Sequence, residues 1–115
     1  MAAYNFPDVI KGDTYNGTSF TMTLNGVAMD LTYATISMDL RLIPLGTIAQ
    51  HFDSDGGGIT IDSDPTTGIF VFDAQVIDLD AAQYYFDIEF SFSNNSTVKT
   101  YISGRWTVLQ DITYT

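Results

Sequence analysis

Asp53, Asp55 and Asp64 are the first residues of this sequence whose types and spacing suggest chemistry. They sit in the loop Asp53-Ser54-Asp55-Gly56-Gly57-Gly58-Ile59-Thr60-Ile61-Asp62-Ser63-Asp64. Hard cations are held by several oxygens converging from one loop, and in a calcium-loop register these aspartates fall at positions 1, 3 and 12, with Gly58 at position 6. The match is partial. Position 5 is Gly57, the bidentate Glu at position 12 is missing, and strand-like patterns rather than helical ones flank the loop. A solvated hairpin loop whose glycines adopt positive φ is the stronger reading.

His51 is the only histidine. No serine or cysteine stands in a nucleophile motif beside it, so a catalytic triad has no support. It is expected at the end of a strand, facing solvent. Asp87 and Glu89 are a possible carboxylate pair for glycoside hydrolysis, but both alternate with a phenylalanine series and so belong to an ordinary wet surface. No enzymatic centre and no cofactor are expected. Tyr85 and Tyr101 remain: each has the parity opposite a buried neighbour, Phe86 and Ile102, which puts them on an outer face. Aromatics there anchor protein contacts or stack on sugars, or simply pair across strands. Tyr85, Asp87, Glu89 and Tyr101 are therefore the candidate interaction residues.

The element that positions them runs from Tyr84 to Thr113 and reads as one long hairpin. Tyr84, Phe86, Ile88, Phe90 and Phe92 are apolar at every second position, which buries one face of a strand. After Asn94-Asn95-Ser96 the pattern returns through Val98, Ile102, Trp106 and Val108. Earlier strand-like segments recur every 8 to 15 residues: Phe6 to Ile10, placed at an edge by Pro7; Ser19 to Leu24; Ile36 to Leu42, stopped by Pro44 and Gly46; Thr47 to Phe52; Ile59 to Asp62; and Gly68 to Asp73. Asn25-Gly26 signals a type I′ hairpin. Val76 to Ala82 is too short for a helix and reads as a single 3₁₀-like turn. Tyr84 stands where immunoglobulin-like sandwiches place a corner tyrosine. The expected architecture is all-β: a single domain over residues 1–115, an immunoglobulin-like sandwich of seven to eight antiparallel strands.

Composition bounds the function classes. Fourteen acidic residues, all Asp except Glu89, face four basic ones, for a formal charge of −10. A phosphate backbone would repel such a chain, so no nucleic-acid partner is expected. No apolar run approaches the roughly 18 residues needed to span a bilayer, so no membrane is expected either. Cysteine is absent, which excludes disulfides and thiolate zinc sites and suits a reducing compartment. The N-terminus has no signal-peptide pattern. Without one, the triplets at Asn16, Asn94 and Asn95 read as accidental glycosylation motifs.

The order of short motifs adds a resemblance. Lys11-Gly12-Asp13-Thr14 precedes Phe20-Thr21-Met22-Thr23-Leu24-Asn25-Gly26, Asp30-Leu31-Thr32 and Ile36-Ser37-Met38-Asp39-Leu40-Arg41. Gly58-Ile59-Thr60-Ile61, Gly68-Ile69-Phe70, Tyr84-Tyr85-Phe86-Asp87-Ile88 and Gly104-Arg105-Trp106-Thr107-Val108 follow. This order resembles the small immunoglobulin-like domains of tailed-phage virion proteins, notably the N-terminal domain of the baseplate upper protein and its prophage relatives. The resemblance implies a non-enzymatic structural or adaptor subunit of a phage or prophage particle, at the baseplate, collar, fibre attachment or head surface. It implies assembly in the host cytoplasm, location in the virion, other virion proteins as partners, and a homo-oligomer such as a ring or trimer. The alternative is a carbohydrate- or receptor-binding module using the exposed tyrosines and the acidic loop, with a glycan as ligand.

Overall fold

The alternation that begins at Tyr84 forms the centre of the fold. In the computed structural model, which describes residues 2–43 and 46–110, the central strand β12 (Ala82–Phe92) buries Tyr84, Phe86, Ile88 and Phe90 and turns Asp87 and Glu89 to solvent. It pairs antiparallel with β13 (Thr97–Leu109) on one side and β7 (Ala34–Arg41) on the other, and β8 (Ile48–Asp53) extends the sheet beyond β7. β7 repeats the period of two, with Ile36, Met38 and Leu40 buried. A second sheet orders β4 (Thr18–Thr21), β10 (Ile69–Phe72) and β9 (Ile59–Ile61). Small ladders join β3 (Thr14–Tyr15) to β11 (Gln75–Val76), and β5 (Thr23–Leu24) to β6 (Val27–Ala28). The protein is all-β, and its two larger sheets face each other across one core, an arrangement compatible with a β-sandwich. In the β5–β6 turn Asn25 and Gly26 have φ of 54° and 79°, as a type I′ turn requires.

The N-terminal segment departs from the expected antiparallel pattern. Phe6 to Ile10 is not one strand: β1 (Ala2–Ala3) and β2 (Val9–Ile10) both pair parallel with β13, and residues 4–8 cross between them without strand pairing. The crossing exists because Phe6 is buried as a side chain rather than laddered as a backbone. Its ring stacks on Trp106 with centroids 4.5 Å apart and meets Phe72 and Phe86 at 5.4 and 5.1 Å. The Trp106 indole N–H donates to the carbonyl of Pro7 at 3.0 Å, and the Tyr4 amide donates to the Ser103 carbonyl at 2.9 Å. Gly104 makes the approach possible: a Cβ there would lie 1.6 Å from the Tyr4 carbonyl oxygen.

Three further expectations are corrected. The β12–β13 register skips a residue, because Ile88 faces Ile102 while Glu89 faces Thr100. Tyr101 is the extra residue of this bulge, and the slip reverses the faces beyond it. Val98 is therefore exposed, and Tyr101 turns inward, edge-on to Phe90 at 5.3 Å. Val76 to Ala82 holds no 3₁₀ turn; Val76 is in β11, and Ile77 is buried with its amide donating to Asp13 and its carbonyl accepting from Gly12. The 3₁₀ turn lies at Pro65–Thr67, where Asp64 accepts from the Thr66 amide and Pro65 occupies the first turn. Of thirteen strand segments among the described residues, six are only two residues long, so the expected seven to eight strands match only the longer ones. The stop expected at Pro44 and the end of the hairpin at Thr113 lie outside the described residues.

The Tyr84 hydroxyl donates to the Asp80 carbonyl at 2.7 Å, closing the turn into β12. Phe6→Ala should lower unfolding free energy by about 3 to 5 kcal/mol, the usual cost of deleting a buried aromatic. Tyr84→Phe should cost about 1 kcal/mol, one hydrogen bond. Denaturant midpoints at unchanged slope check both.

Candidate functional site

The outer face of the larger sheet is built by the residues that alternate with its core positions. Register aligns them in rows across the strands. Asp87 lies between Ser103 and Asp39, and Asp39 faces His51; Tyr85 lies between Arg105 and Arg41; Glu89 lies between Thr100 and Ser37. The first two rows line a groove of about 450 Å³ bordered by Asn5, Asp39, Arg41, Tyr85, Asp87, Ser103 and Arg105. Arg105 holds its guanidinium 5.3 Å from the centroid of the Tyr85 ring, a cation–π contact. Its backbone amide donates to Asn5 Oδ1 at 3.1 Å. Arg41 is anchored by donation to the Gly46 carbonyl at 2.5 Å and stands 3.8 Å from Asp39.

His51 sits beside this groove on the edge strand. Nδ1 lies 2.5 Å from Asp39 Oδ1 and Nε2 lies 3.0 Å from Asp53 Oδ2. Both partners are acceptors, so the doubly protonated imidazolium satisfies both contacts. The hydrogen bond to Asp39, then that to Asp53, raises the His51 pKa above its ordinary value, against an opposing desolvation. The ring is exposed, as its position in the sequence implied, but it is held rather than free.

The acidic loop is not brought together. Asp53 uses one oxygen on His51 and the other to accept from the Asp55 amide at 3.0 Å. Asp64 is engaged elsewhere, capping the 3₁₀ turn through the Thr66 amide and hydroxyl. Among the described residues no group of three or more His, Cys, Asp or Glu side chains is placed to hold a metal ion. Gly56 and Gly58 have φ of 121° and 95°, as the hairpin-loop reading of this segment requires.

Of the interaction candidates, Tyr85, Asp87 and Glu89 share the outer face. Tyr101 does not join them, because the bulge turns it toward Phe90, and in place of the alternative in which the two tyrosines pair across strands, Tyr85 faces Arg105. Sequence reasoning passed over Asp39, Arg41 and Arg105. Their alternation with core residues places them on an outer face, but only the strand order carries residues 41 and 105 to either side of residue 85. No protein-family model matches the chain, and no curated protein matches it either.

The His51 contacts make stability depend on pH. The folded pKa is raised above the unfolded one, so the stabilisation is full below the ordinary value of about 6.5 and is lost as pH rises through the folded value. Melting temperature of the parent relative to His51→Gln, followed across that range, should show the advantage shrinking toward alkaline pH. An advantage that grows with pH contradicts the assignment.

Proposed function

We propose that this chain is a non-enzymatic structural or adaptor domain of a tailed-phage or prophage particle, with an immunoglobulin-like sandwich as its scaffold. The strand order supports the scaffold: β13, β12, β7 and β8 in one sheet oppose β4, β10 and β9 in the other, with the Tyr84 corner bond at the entry to β12. The motifs that carry the resemblance coincide with working parts of the fold. Asn25-Gly26 makes a tight turn, and Gly104 and Trp106 receive the N-terminal crossing.

One observation carries the adaptor reading. Leu42 and Ile43, leaving β7, are 54% and 63% exposed, and Ile48, which faces Arg41 at the start of β8, is 44% exposed. Exposed aliphatic residues are ordinary, and this acidic domain carries others, Leu24, Val27 and Val98 among them, but three grouped where β7 ends and β8 begins fit a protein contact. Burial of these side chains against a virion neighbour would supply the contact energy, and the charge of −10 keeps the unassembled subunit soluble.

Purified particles test this reading. The parent chain should be recovered in them at fixed stoichiometry. A folded Ile43→Asp, Ile48→Lys double variant should remain in the unassembled fraction. A parent chain missing from particles, or a variant incorporated as well as the parent, would overturn it.

A further inference from the structure

The groove around Tyr85 has a donor and acceptor arrangement that the adaptor role does not use. Asp87 and the Arg105 side chain flank the tyrosine, and neither forms an ion pair among the described residues. Among the described residues the Arg105 guanidinium engages the ring face of Tyr85 and has no hydrogen-bond acceptor for its fork of N–H donors. Asp87 is exposed and in register with Ser103. The Asn5 oxygen is taken by the Arg105 amide, which leaves the Asn5 NH₂ as a donor. Tyr85 thus has the Arg105 guanidinium on its ring and the Asp87 carboxylate two residues along its own strand, with the Ser103 hydroxyl and the Asn5 amide in the same lining.

We infer that this groove is a binding site for a neutral saccharide. A sugar hydroxyl both donates and accepts, so neighbouring hydroxyls can give to Asp87 while accepting from Arg105 or Asn5, in charge-assisted hydrogen bonds. The apolar C–H face of a pyranose fits over an aromatic side chain, and Arg105 holds Tyr85 in place before any ligand arrives, which reduces the ordering cost of binding. Tyr85, Asp87 and Arg105 stand on the two longest strands, a rigid support for a site. The volume of about 450 Å³ lies within the range for small-molecule sites.

Charge selects the class of sugar. Asp39, Asp87 and Glu89 share the face, and the chain carries −10 in all. This field disfavours uronates, sialylated chains and phosphorylated sugars. Arg41 and Arg105, two of the four basic residues, disfavour a cationic ligand in the same way. Tyr101 and the Asp53 to Gly58 loop lie outside the groove lining. The inference does not rest on the adaptor reading, and each can fail without the other.

The test is a glycan array of neutral and acidic oligosaccharides probed with the full chain, followed by NMR titration with the best neutral glycan. Saturable binding to neutral glycans is expected, with amide shifts grouped at residues 85–87 and 103–105. Arg105→Gln and Asp87→Asn should each weaken it about tenfold or more, the loss of one hydrogen bond to a charged group. Tyr85→Ala should abolish it, whereas Tyr101→Phe and Lys99→Gln, outside the groove, should leave it unchanged. Melting curves matching the parent confirm that each variant is folded. The inference is overturned by no neutral binder, by binding confined to acidic glycans, by shifts away from the groove, or by a groove occupied only by a protein partner.

Discussion

The packing of Phe6 on Trp106, reached through the gap at Gly104, is the interaction on which the remaining structure depends. A chain of this length without cysteines has only side-chain packing to join its sheets. Phe6 lies where they meet, against Phe72 of one sheet and Phe86 and Trp106 of the other. To put it there, the chain passes against Gly104 of β13, where a Cβ would collide with the Tyr4 carbonyl. The same crossing sets the outer face: Asn5, the residue before Phe6, receives the Arg105 amide and so borders the groove. Core and surface are thus coupled through two adjacent residues.

From that lock outward the molecule separates by polarity. No polar or charged side chain is buried among the described residues, and no buried side-chain polar atom lacks a partner. Aromatic rings fill the space between sheets: Phe20 stacks on Phe70, and Phe70 meets Phe90 edge-on at 5.5 Å. Charged side chains lie on the wet side among the described residues, where Asp39 links two settings by placing one oxygen on His51 and the other near Arg41. A dry core with a charged outer face suits recognition at a surface, and it places the carboxylates where sugars or protein groups can reach them.

Much of this order is legible in the residues. The period of two in Tyr84 to Phe90 and Ile36 to Leu40 identifies the two strands at the centre of the sheet, because burial of one face is a local pattern. Asn25-Gly26 specifies its turn through φ alone, and Tyr84 carries a corner hydrogen bond that needs only its own loop. What was not legible depends on partners distant in sequence. The bulge at Tyr101 is a property of the pairing of β13 with β12, and it reverses Val98 and Tyr101 without any mark in their own strand. Phe6 reads as part of a strand until Gly104, nearly a hundred residues later, supplies the opening it enters. The groove is likewise a product of strand order, which carries Arg41 and Arg105 to opposite sides of Tyr85.

The central claim is that the N-terminal crossing belongs to the cooperative core, and native-state hydrogen exchange tests it most directly. The Tyr4 and Lys11 amides donate to Ser103 and Leu109 of β13, on either side of Phe6. The account predicts that both exchange only through global unfolding, with the same opening free energy as the amides of β12. Exchange of Tyr4 and Lys11 at near-unprotected rates, while β12 stays protected, would contradict it.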